Sequence, residues 1–97
     1  MQKVPCRTPA EGREGVTNIP AWKFDLLRGA IHEVLGTAGE VAFGDLNDRV
    51  RAGLDPDELE RLGSLGWHVT TVKLELEVRG EIERVPGKRP QKIRLAT

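Results

Sequence analysis

The stretch that decides the architecture is WHVTTVKLELEVRGEIERVPGKRPQKIRL, residues 67–95. Val72 and Leu76 stand four apart, with Val69 and Trp67 one and two turns earlier, so one face of a helix over 67–79 is predicted to be buried. Leu74 and Val78 form a second pair four apart, which widens the apolar arc. Gly80 stands where a left-handed residue commonly ends a helix. Beyond it, residues 81–85 and 91–95 alternate polar and apolar side chains, which predicts two short strands with Ile82, Ile93 and Leu95 turned inward. The tip between them, PGKRP, holds two prolines and so suits a turn that resists edge pairing.

Working outward, residues 1–16 carry two prolines, glycines and mixed charge without periodicity, and read as an extended or loose leader. A first helix is expected from about Asn18, a good cap, with Pro20 inside the first turn and Phe24, Leu27, Ile31 and Val34 on its buried face. Residues 40–43 are short enough to be a small strand that pairs with the C-terminal ones. A second helix is expected from Gly44-Asp45 to Gly53, with Leu46 and Val50 inward. Asp55-Pro56-Asp57-Glu58 is a helix start with a capping box, followed by Leu59 and Leu62. The division is thus a leader over 1–17 and one domain over 18–97.

Ninety-seven residues, 38% of them hydrophobic, make one domain with one modest core. No apolar run approaches the roughly 18 residues of a membrane span, and the N-terminus has no apolar signal-like stretch. With a single cysteine, Cys6, that points to a cytoplasmic protein without disulfides. The zero net charge conceals a segregation. Residues 24–80 hold six basic and eleven acidic side chains, a net −5, whereas residues 81–97 set Arg84, Lys88, Arg89, Lys92 and Arg94 against Glu81 and Glu83, a net +3. A local basic patch of this kind acts over about one Debye length, roughly 10 Å.

The pattern TVKLELEVRGEIER over residues 71–84 resembles the winged helix-turn-helix superfamily: apolar residues eight and four before the glycine, and an apolar strand residue two after it. More narrowly, Trp67 followed by TVKLELE, with Lys23-Phe24 earlier, looks like a family of small bacterial proteins of unknown function. The resemblance covers about residues 18–97. It implies an α+β fold with three main helices, a short extra helix and a C-terminal β-hairpin wing. It also implies double-stranded DNA as a partner and a role in transcriptional regulation. The candidate contacts are Lys88, Arg89, Lys92 and Arg94 on the wing, and His68, Thr70, Thr71 and Lys73 on the first half of the helix, whose N-terminal residues usually reach base edges.

Two features depart from a simple DNA reader. The two key helices of a helix-turn-helix are joined by about 3–4 residues, whereas the segment between Leu54 and Trp67 contains a helix of its own. Glu75 and Glu77 are also expected on the exposed helix, where they repel phosphates. A second reading follows: a protein-interaction or dimerisation module on the same scaffold. Trp22 and Trp67 are expected to anchor the core, the alternative being that one is exposed in a partner interface. His32 and His68 have no partner at ligand spacing, so no metal is expected. No nucleophile, histidine base or phosphate-cradling glycine loop accompanies the acidic pairs, so neither an enzyme nor a cofactor is expected.

Overall fold

The computed structural model describes residues 2–7, 16–87 and 91–96. Its elements run β1 (Lys3–Cys6), β2 (Thr17–Pro20), α1 (Ala21–Ala38), β3 (Glu40–Ala42), α2 (Phe43–Gly53), α3 (Pro56–Leu62), α4 (Leu65–Arg79), β4 (Ile82–Arg84) and β5 (Lys92–Leu95). The fold is α+β, with four helices and two small antiparallel sheets among the described residues. Among the described residues no helix is long and apolar enough to cross a membrane.

The first sheet corrects the leader. Lys3–Cys6 pairs antiparallel with Thr17–Pro20, Val4 opposite Ile19 and Cys6 opposite Thr17. Cys6 and Ile19 are buried in the common core, with Val4 packed beside them. Asn18 is therefore a strand residue and caps nothing. The cause is Pro20: it has no N–H to donate, and it biases the residue before it toward extended backbone. The helix starts one residue later at Ala21, whose N–H donates to the Gln2 carbonyl at 2.9 Å. The hairpin thus satisfies one of the orphan donors at the start of α1.

In the second sheet the order is β3-β5-β4. The expected two-stranded C-terminal ribbon is corrected in this respect, because β5 lies in the middle. Val41 faces Ile93 on one side, and Ile82 faces Leu95 on the other. Val41, Ile82 and Ile93 are buried, and Leu95 is half-buried against them. The opposite face carries Glu40, Glu83, Lys92 and Arg94, as a two-residue period requires.

Between the sheets, α1 buries Phe24, Leu27, Ile31 and Leu35, with Leu35 in place of the expected Val34. It packs most extensively on α4, which buries Leu65, Val69, Val72 and Leu76. The capping box of α3 forms as expected: Asp55 accepts from the Glu58 amide at 2.8 Å, and Glu58 from the Asp55 amide at 3.0 Å. Gly80 closes α4 at φ 77°, where a side chain on any other residue is strained. Leu76, fully buried at the centre of this packing, is expected to cost about 2–5 kcal/mol when cut to alanine. Urea denaturation of Leu76→Ala checks this through a lower midpoint at unchanged slope.

Candidate functional site: the fourth helix and its surroundings

The helix that carries half of the candidate contacts is packed on nearly every side. Besides α1, it touches α2, α3, β1 and β4. His68 is buried, and its Nδ1 donates to the Ser64 carbonyl at 2.6 Å, which fixes the proton on that nitrogen. Lys73 is only 3% exposed, with Nζ 4.4 Å from the centre of the Phe43 ring and 3.0 Å from Glu77 Oε2. That last contact is an ion pair lying off any hydrogen-bond direction, so Oε2 accepts no directed bond. Thr70 and Thr71 are half-buried. Of the four helix candidates, then, two lie inside the protein.

Glu75 and Glu77 also differ from expectation. Glu75 is completely buried. Its Oε1 accepts from the Arg7 amide at 2.9 Å and from Arg7 Nε at 3.0 Å, while Oε2 accepts from Arg7 Nη2 at 2.8 Å and Arg79 Nε at 2.7 Å. Burial by itself pushes the Glu75 carboxyl up. The two guanidiniums and the backbone N–H outweigh it and hold the group down at about 2. Glu77 accepts from Arg84 Nε at 2.6 Å. Neither carboxylate is free: Glu75 is met by Arg7 from 68 residues away, and Glu77 by Lys73 and Arg84 from within seven. Arg79 is occupied twice, its guanidinium also lying 4.7 Å from the Phe24 ring centre.

One outward stripe of α4 is largely apolar. At 3.6 residues per turn, Trp67, Thr71, Leu74 and Val78 fall within about 60° of arc. Trp67 is 49% exposed, contrary to the expected core anchor, and Leu74 and Val78 are half-buried. The Thr71 hydroxyl donates to the Trp67 carbonyl at 2.8 Å, so its donor is satisfied within the helix. The Trp67 ring meets His68 edge to face at 4.8 Å, so a buried neighbour holds its orientation. The other tryptophan, Trp22, is half-buried between Arg61 and Lys23, at 5.1 and 5.6 Å.

On the second sheet, Lys92 is exposed and makes no ion pair among the described residues. Arg94 is held between two carboxylates, 3.0 Å from Glu83 and 3.8 Å from Glu40. Lys88 and Arg89 lie outside the described residues. Among the described residues the basic side chains of α4 and β5 do not converge on one surface. Lys73 is inside, Arg79 is clamped to Glu75, and Arg94 stands on the far face of the sheet.

Glu81 accepts from Arg28 and His32, each at 2.7 Å; burial raises its carboxyl, but these partners win and lower it. The Cys6 thiol is pushed up to about 11, chiefly by burial and then by Glu75, so it is not a reactive thiolate. A groove of about 360 Å³ between α1 and α2 is lined by Ala30, Val34, Val50 and Gly53, with Glu33 and Arg49 beside it. Among the described residues no three His, Cys, Asp or Glu side chains gather as metal ligands.

A family model spans residues 3–93. The chain belongs to the family of unknown function DUF6958. No curated protein and no solved structure matches it. The DUF6958 match begins at Lys3, so it takes in β1, the strand whose following residue, Arg7, clamps Glu75. A sequence scan for apolar periodicity has no signal for this clamp, since its partners stand 68 residues apart.

The clamp has a pH consequence. The Glu75 carboxyl lies below its ordinary value of 4.5 in the folded state, so its contribution is complete above that value and is lost as pH falls from about 4.5 toward 2. The contribution is on the order of 3 kcal/mol. In Glu75→Gln, thermal unfolding is expected to start from a lower midpoint at pH 7 and to change less between pH 5 and 2.5 than in the wild type.

Proposed function

We propose that this DUF6958 chain is a winged-helix domain that works by docking another polypeptide on the outer face of α4. The winged-helix reading is supported by the element order α1-β3-α2-α4-β4-β5 with β5 central, α3 being an insertion over the connection at 54–64. The observation that carries the docking reading is the outward stripe Trp67-Thr71-Leu74-Val78. A base-reading helix needs exposed donors, acceptors and cations. Here the cation at 73 is buried, both nearby carboxylates are paired inside the molecule, and a half-exposed tryptophan stands at the front. Tryptophan is among the residues most enriched at interface hot spots.

A second reading, DNA contact through the basic turn alone, is favoured by the net +3 of residues 81–97 and by exposed Lys92. In it Lys88, Arg89 and Lys92 touch phosphates, and α4 reads no bases.

One measurement checks the outward placement of Trp67, and a second separates the two readings. Trp67→Ser is expected to shift folding stability by no more than about 0.5 kcal/mol, as for a surface site, against about 3–5 kcal/mol for a core tryptophan. Fluorescence anisotropy of a labelled random duplex is expected to stay flat at about 0.15 M salt. Binding that weakens steeply with salt and disappears in Lys88→Glu/Arg89→Glu replaces the docking reading by the second one.

A further inference from the structure

We infer that the groove between α1 and α2 is a binding site for a small molecule bearing both charges, a free α-amino acid with a short aliphatic side chain. Its volume, about 360 Å³, lies at the small end of the roughly 300–1,000 Å³ of ligand sites. The groove stays open because the two helices bring small residues to it. Gly53 stands in the last turn of α2 without a positive φ, so the backbone does not require glycine there. A Cβ added at Gly53 meets nothing within 4 Å, so packing does not require glycine either. The missing side chain leaves space that a larger residue fills.

The charges on the walls select the ligand. Glu33 lines the groove from α1 and Arg49 from α2, one of each sign. Both are exposed, and neither makes an ion pair with the other or with any other described residue. Asp45, one turn before Arg49, lies outside the lining, and His32, next to Glu33, is turned to Glu81. A ligand with a single charge is attracted by one wall and repelled by the other, whereas one that carries both signs is attracted by both. Arg49 offers its planar fork to a carboxylate. Glu33 accepts from an ammonium. The last turns of both helices, Thr37-Ala38 and Ala52-Gly53, also line the groove, and their carbonyls lack intrahelical partners and carry the negative ends of the helix dipoles. They add acceptors for the ammonium. Buried Val50 and half-buried Ala30 and Val34 make an aliphatic floor, which suits a short branched side chain.

Amide chemical shifts, followed by nuclear magnetic resonance as L-valine is added to the full chain, test this. Saturable changes are expected at Ala30, Val34, Val50 and Gly53, with a dissociation constant below about 10 mM for so small a ligand. Isovalerate lacks the ammonium of valine and isobutylamine lacks its carboxylate. Each is expected to bind at least about tenfold more weakly than valine, the loss that one charged hydrogen-bonded contact brings. Glu33→Gln and Arg49→Gln are expected to weaken valine binding by the same factor. Gly53→Leu is expected to abolish it while the amide spectrum away from the groove stays that of the wild type.

No saturable change at the groove up to about 10 mM valine overturns the site. Isovalerate or isobutylamine binding as tightly as valine overturns recognition of both charges, as does undiminished binding by both charge variants. Undiminished binding by Gly53→Leu puts the ligand elsewhere and overturns the groove. Because Glu33 and Arg49 are exposed, their variants remain decisive even where Gly53→Leu disturbs α2.

Discussion

The rest of the molecule hangs on one buried carboxylate. Glu75 sits on the last long helix with no exposure at all, and four directed hydrogen bonds from Arg7 and Arg79 meet its two oxygens. A carboxylate taken out of water is tolerated only when charge and hydrogen bonds replace its hydration. The replacement comes from both ends of the chain. Arg79 stands one turn further along α4, whereas Arg7 follows the first strand. The clamp therefore ties the N-terminal hairpin to α4, and the hairpin in turn supplies Cys6 and Ile19 to the core and a backbone acceptor to the start of α1.

This arrangement governs what α4 can offer the outside. With the hairpin on one flank and Phe43 and Arg84 on the other, the helix's charged side chains are all engaged. Beside Thr70 and the exposed Arg79, the Trp67-Thr71-Leu74-Val78 stripe is left facing out, and the Thr71 hydroxyl is satisfied locally. The clamp on Glu75 and the Lys73 and Arg84 pairs on Glu77 therefore neutralise the two negative charges that argued against phosphate, yet few polar groups are left with which to read a base. The same packing explains why Lys73, so suggestive in sequence, is sequestered over an aromatic ring.

Local features were legible in the sequence because local physics causes them. The capping box at Asp55 and Glu58, the left-handed Gly80, the apolar face Phe24-Leu27-Ile31, and the inward Ile82 and Ile93 each depend on residues a few positions apart. The small strand at residues 40–42 was legible too, although its place beside β5 rather than β4 was not. What could not be read depends on distant pairing. Arg7 and Glu75 are 68 residues apart, and nothing in the helix pattern distinguishes a glutamate facing water from one facing a remote arginine. Trp67 misled in the opposite sense. Its spacing to Val69 and Val72 suggested the core, yet Leu65, one residue before Gly66, begins the helix and takes the buried position.

If Glu75 is the clamp that makes the N-terminal hairpin part of the domain, the Arg7 amide must open only when the core does. Native-state hydrogen exchange read by nuclear magnetic resonance measures this directly. The account predicts that the Arg7 amide, which donates to Glu75 Oε1, is protected to nearly the same free energy as the amides of Val72 and Leu76. An Arg7 amide exchanging at the rate of an open chain, while those two stay protected, contradicts it.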